Sequence, residues 1–180
     1  MKSFSIFDLE RKDIYSLMIS LIAPKDDGTL KDTVRNLLET RNCVVNFVTD
    51  EILKAMKITA KEFEHSIDEF NEAKLTKIPS ELIKAKRVKE SIAQFECELI
   101  DLVNVSDRLE SLIEHSIFGF NTELQPGSGN LAVCKILKVH FTDSLLREGT
   151  NNKIDVKKYH PIARLGAKFY TKVSDKSIFM

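Results

Sequence analysis

The sequence predicts an α+β domain. Two long segments, 93–103 and 131–141, alternate apolar and polar residues as strands do, and the segments around them show only short helical periodicities. At 180 residues, the chain has the length of one domain, 1–180, enough to bury a core without a disulfide or a metal staple. Apolar residues make up 43% and charged residues 30%, a composition that folds rather than staying disordered.

The same composition excludes several functions. With 27 basic and 27 acidic residues, the formal charge is zero, so there is no electrostatic footprint for nucleic acid or an anionic membrane. Six glycines and four prolines leave little room for Gly-rich phosphate loops, and neither GxGxxG nor GxxxxGK[ST] occurs. Cys43, Cys97 and Cys134 are odd in number and widely spaced, with no CxxC and no histidine close enough to suggest a zinc site, so neither a disulfide framework nor a zinc site is expected. Reduced, buried thiols in a cytoplasmic protein are expected instead. Charges from Asp8 to Asp13 interrupt any signal-like apolar run, and Ile14 to Pro24 is far shorter than the ~20 residues of a membrane span.

The first element is read as an amphipathic helix, because Ile14, Leu17, Met18 and Leu21 fall at i, i+3, i+4 and i+7 before Pro24. Lys25 to Gly28 is a turn signal. A second short helix starts near Asp32, with Val34, Leu37 and Leu38 on one face. Residues 43–48, short and β-branched, read as a buried strand. From 49 to 90 the pattern is helical in short pieces. Thr59-x-x-Glu62 and Ser66-x-x-Glu69 fit capping boxes, and Pro79-Ser80 opens a further piece.

In the strand from 93, Ala93, Phe95, Cys97 and Leu99 share one face, and Gln94, Glu96 and Glu98 share the other, which reads as solvated. The phase slips at Ile100 and Leu102, consistent with a bulge or with burial on both faces. In the strand from 131, Leu131, Val133, Leu137, Val139 and Phe141 share a face. Between the two strands, Asp107 to Ile117 is helical by pattern, and Gln125 to Asn130 is a loop.

Two stretches could hold a ligand. Lys31, Asp32 and Thr33 open a helix, where free amides, an ammonium and a hydroxyl suit a phosphate; the same residues suit an ordinary solvated helix start. Near the C-terminus, His160 to Tyr170 gathers Arg164, Gly166 and Tyr170, and it reads equally as a terminal turn with a surface arginine. His65, His115, His140 and His160 are not at ligand spacing, and His140 reads as a satisfied structural histidine. No metal ligands and no nucleophile–base pair are expected.

Taken as an ordered set, the blocks resemble the flavin reductase-like FMN-binding split-barrel family, of the flavoredoxin and nitrilotriacetate monooxygenase component B type. The blocks are residues 8–24, matched to the family's opening helix, then Lys31 to Asn36, Val44 to Val48, Asp68 to Thr76, Pro79-Ser80, Arg87-Val88, Phe95 to Leu99 and His160 to Tyr170. The resemblance implies a split β-barrel with short peripheral helices, a homodimer, FMN as cofactor and NAD(P)H as hydride donor. On it, Lys31 and Thr33 meet the FMN phosphate with Asn36 supporting the turn, and Arg164 and Tyr170 approach the cofactor from the C-terminal region. Two departures stand out. Where the family continues into a segment that contacts the flavin, Pro24 here runs straight into Lys25 to Gly28, and a family glycine is replaced by Lys74. The alternatives to a flavoprotein oxidoreductase are therefore a degenerate homodimer that has lost flavin and serves as a binding or structural protein, and a small helical interaction domain.

Overall fold

A computed structural model describes residues 2–7, 15–22, 31–104, 129–146, 154–155, 157–166 and 169–173. In chain order its elements are β1 (Lys2–Phe7), β2 (Ser16–Ile22), α1 (Asp32–Thr40), β3 (Asn42–Asn46), a 3-10 turn (Asp50–Ile52), α2 (Leu53–Thr59), α3 (Glu69–Glu72), β4 (Lys77–Ile78), β5 (Arg87–Val88), β6 (Ala93–Asn104), β7 (Gly129–Phe141), a second 3-10 turn (Asp143–Leu145), β8 (Ile162–Gly166) and β9 (Phe169–Lys172). Five strands form one sheet in the order β1-β2-β7-β6-β3, while β4-β5 and β8-β9 form two-stranded ribbons. The three strands expected from the sequence, β3, β6 and β7, are therefore adjacent in one sheet. Among the described residues, no helix is long and apolar enough to cross a membrane. The chain divides into two compact units, Met1–Cys43 with Cys97–Ile136 and Val44–Glu96 with Leu137–Met180.

In the first unit, the segment expected to be the opening helix is a strand. β2 pairs antiparallel with β1 on one side, Leu17 opposite Ile6, and with β7 on the other, Leu17 opposite Cys134. The apolar spacing of Leu17, Ile19 and Leu21 fits a period of two as well as it fits 3.6, and two flanking strands decide between them. Leu17 is fully buried and Ile19 nearly so. β1 is an additional strand that sequence reading left unassigned. α1 starts at Asp32 as expected, with Lys31 as its N-cap and Val34 and Leu37 buried, but Leu38 of the expected face is half exposed. The left-handed Arg41 (φ 54°) ends the helix, donating its backbone N–H to Leu37 and its guanidinium to the Leu99 carbonyl at 2.6 Å.

The core face of β7 in this unit is the opposite of the one expected. Ala132 and Cys134 are fully buried, whereas Leu131 and Val133 are half-buried. Burial follows the register with β2, which the alternation alone does not reveal. β7 also begins at Gly129, so Gly129 and Asn130 belong to the strand rather than to a loop. Residues 125–128, the expected helix at 107–117 and the turn at 25–28 lie outside the described residues.

In the second unit, both capping boxes are replaced by other chemistry. Thr59 ends α2 instead of opening a helix, its hydroxyl donating to the Met56 carbonyl at 2.9 Å. α3 is capped by Asp68, which accepts from the Phe70 amide, and not by Ser66. Asp68 sits one residue before the helix, where its side chain reaches a first-turn amide. Pro79-Ser80 opens no helix. It enters a bent loop between β4 and β5, closed by the Ser80 hydroxyl on the Ala85 carbonyl at 2.5 Å.

β6 buries Ala93, Phe95, Cys97 and Leu99 as expected. Its other face is not simply solvated. Glu98 is exposed, but Gln94 is buried and Glu96 is completely enclosed. Ile100 is 49% exposed, so burial on both faces does not explain the phase slip there.

Candidate functional site

The first group of candidate residues lies on the opening turn of α1. Lys31 and Thr33 are half-buried, and Asn36 is exposed one turn on, its carbonyl accepting from the Thr40 hydroxyl. No side chain caps the helix at Lys31. Asp32, the one acid of this turn, lies 3.6 Å from the guanidinium of Arg35, which offsets its charge. The turn also carries an ammonium, a hydroxyl and the positive end of a nine-residue helix, residue types suited to a phosphate.

The second group lies in the other unit, where the C-terminal motif forms a hairpin and not a terminal turn. Arg164 of β8 stands directly opposite Tyr170 of β9, and the register shifts between Arg164 and Gly166, where Gly166 meets Phe169. The hairpin is tied to the segment that follows β3. Ile162 donates to the Val48 carbonyl at 2.8 Å, Lys172 pairs with Asp50 at 2.5 Å, and the Lys57 ammonium of α2 lies 5.1 Å from the centre of the Tyr170 ring. Lys57 is a cationic neighbour of Tyr170 that no sequence motif marks, since it comes from an element more than a hundred residues away. Lys31, Thr33 and Asn36 are thus brought together on one helix turn, and Arg164 and Tyr170 across one hairpin.

The most elaborate polar cluster among the described residues centres on Glu96. Its carboxylate accepts from the backbone amides of Glu81 and Leu82, both at 2.8 Å, and lies 2.6 Å from Nε2 of His140. The Arg87 guanidinium stands 3.9 Å away; it also donates to the Pro79 carbonyl and to Gln94. Burial by itself would raise the Glu96 carboxyl, but the two amides and His140 overcome it and hold the group below its ordinary value of 4.5. His140 is a satisfied structural histidine, as its sequence position suggests. Glu96 was missed because an acid in an alternating strand normally points to water; here the β4–β5 loop covers it.

Among the described residues, no group of His, Cys, Asp or Glu could hold a metal ion. None of the three cysteines is in a disulfide, and Cys97 and Cys134 are buried. The Cys43 thiol beside it, together with burial, pushes the Cys134 thiol far above its usual range.

A family model described as a flavin reductase-like domain matches residues 17–153, which include the opening turn of α1. An uncharacterized protein of Aquifex aeolicus is 38% identical over 169 residues, 94% of this chain and 74% of the relative. A second uncharacterized relative, from Halalkalibacterium halodurans, is 23% identical, and this chain spans 65% of its length. Nitrilotriacetate monooxygenase component B from Bacillus cereus superposes with a TM-score of 0.73 at 26% identity, over 96% of this chain and 74% of that one. Flavoredoxin of Desulfovibrio vulgaris superposes with a TM-score of 0.66 at 18% identity, over 89% of this chain and 71% of that one, a likeness of fold.

Proposed function

This chain belongs to the flavin reductase-like family, and from that premise we propose that it is an FMN-binding oxidoreductase that passes a hydride from NAD(P)H to flavin. The observation that carries the reading is the family match over 17–153, joined to the phosphate-suited turn that lies within it. Flavin supplies the redox chemistry, and the protein's part is to bind and orient it. In this reading, Lys31 and Thr33 bind the phosphate through the ammonium and the hydroxyl, and Asn36 supports the turn from one turn further on. Arg164 and Tyr170 are proposed as further cofactor contacts, the guanidinium as a planar donor and the phenol ring as an apolar wall. Similarity to an FMN-binding protein from Thermus thermophilus, with a TM-score of 0.62 at 13% identity, supports the fold of this reading. A homodimer is the proposed assembly. The cytoplasm is the proposed location, a compartment in which cysteines ordinarily stay reduced.

Titration of FMN against the protein, followed by flavin fluorescence, tests the proposal. Lys31→Glu sets a negative charge beside a dianion and should weaken FMN by about ten- to a hundredfold. Riboflavin, which has no phosphate, should bind both proteins alike. Equal FMN affinity in the variant would put the phosphate elsewhere, and no flavin binding by the native protein would overturn the reading.

A further inference from the structure

His140 stands between two carboxylates. Its Nε2 is 2.6 Å from Oε1 of Glu96, and its Nδ1 is 3.6 Å from Oε1 of Glu81. The two acids differ in setting. Glu96 on β6 is fully enclosed, whereas the Glu81 side chain, in the β4–β5 loop, is 52% exposed. Two cations complete the cluster: Arg87 of β5 at 3.9 Å from Glu96, and Lys138 of β7, whose ammonium pairs with the second oxygen of Glu81.

Only an imidazolium can donate from both nitrogens; a neutral ring carries one N–H. The neutral ring keeps that N–H on Nε2, because an enclosed anion stripped of a donor costs more than an exposed one that water can solvate. Nδ1 then turns a lone pair toward the Glu81 carboxylate, and attraction becomes repulsion. The proton lost from Nδ1 passes to water, which reaches the 13%-exposed side chain.

We propose that His140 is a proton-operated catch on the β4–β5 loop. Protonated on both nitrogens, it bridges Glu96 to Glu81 and holds the loop at β7. Protonated on Nε2 alone, it keeps Glu96 and leaves the Glu81 side chain to Lys138 alone, so the loop is held less tightly. The backbone amides of Glu81 and Leu82 stay on Glu96 in both states, so the loop loosens without leaving. The catch opens as rising pH removes the Nδ1 proton. This device does not depend on flavin binding.

Nuclear magnetic resonance on the intact chain tests it, reading the His140 ring and the exchange protection of the Glu81 and Leu82 amides in the same samples from about pH 5 to 9. Protection factors, corrected for intrinsic exchange, should fall by about two- to fivefold, the size of a part-exposed ion pair, with the midpoint of the ring titration. Glu81→Gln, at a half-exposed side chain that leaves the Glu96 contacts in place, should abolish the step, and His140→Gln should abolish it too. Protection that ignores the ring titration, or a step that survives in Glu81→Gln, would overturn the catch.

Discussion

Removing the Glu96 carboxylate would leave two backbone amides and the His140 ring without their acceptor inside the protein. Breaking a buried charged network in this way costs about 3–5 kcal/mol, so Glu96→Ala should lose that much in urea unfolding. The pH dependence has a definite sign. A carboxyl held below its ordinary value of 4.5 contributes stability that is fully present above that value and lost as pH falls through the folded-state value. Native unfolding free energy should therefore drop below about pH 4.5, and Glu96→Gln should flatten that part of the curve. Lys74 tells the opposite story. It adopts φ 55° where the family has glycine, and it closes α3: the Lys74 amide bonds Asn71, and the Leu75 amide bonds Phe70. A side chain at this left-handed helix end is strained. Lys74→Gly should raise stability by about 0.5–1 kcal/mol in the same unfolding experiment. The departure from the family motif was plain in the sequence; that the backbone still takes the glycine conformation was not.

At the scale of elements, β2 and β7 show how partners settle what periodicity leaves open. The seven residues Ser16–Ile22 carry apolar spacing that serves a helix or a strand, and pairing with both β1 and β7 makes them a strand. β7 has apolar residues on both faces over much of its length. The second unit leaves Val139 39% exposed and Phe141 40% exposed on the face that sequence reading expected to be core, while Lys138 and His140 point to the Glu81–Glu96 cluster. Such an alternating apolar row suits the proposed homodimer, where a second copy would cover it. Phe141→Lys should then shift the protein toward monomer in light scattering at micromolar concentration, with folding unchanged by circular dichroism. An unchanged mass would place the dimer contact elsewhere or remove it.

For the molecule as a whole, the proposed reaction draws on flavin and a nicotinamide donor. NAD(P)H oxidation should appear on addition of FMN, and it should withstand chelators, since the proposed hydride transfer runs through flavin and draws on no metal. It should withstand thiol alkylation as well: the proposed reaction uses no thiol, Cys97 and Cys134 are fully buried, and only Cys43 is partly exposed. Activity abolished by EDTA would contradict the metal-free scheme. The fold, with its five-stranded sheet, two-stranded ribbons and short helices, superposes on nitrilotriacetate monooxygenase component B with a TM-score of 0.73.

The amino-acid sequence alone determined the features that depend on local chemistry and on ordered motifs. Helix α1 follows from an apolar stripe behind Asp32, the buried row of β6 follows from strict alternation at Ala93, Phe95, Cys97 and Leu99, and the family follows from the order of its blocks. What only the tertiary structure decided were the features that depend on a distant partner. Ser16–Ile22 became a strand because two other strands bond to it, and β7 buries Ala132 and Cys134 because the register with β2 turns them inward. Glu96 left the solvent because Glu81 and Leu82, some fifteen residues earlier, and His140, forty-four residues later, converge on it. An acid alternating with apolar neighbours reads as surface until the donors that would replace water are placed around it, and those donors come from the fold rather than from the neighbouring sequence.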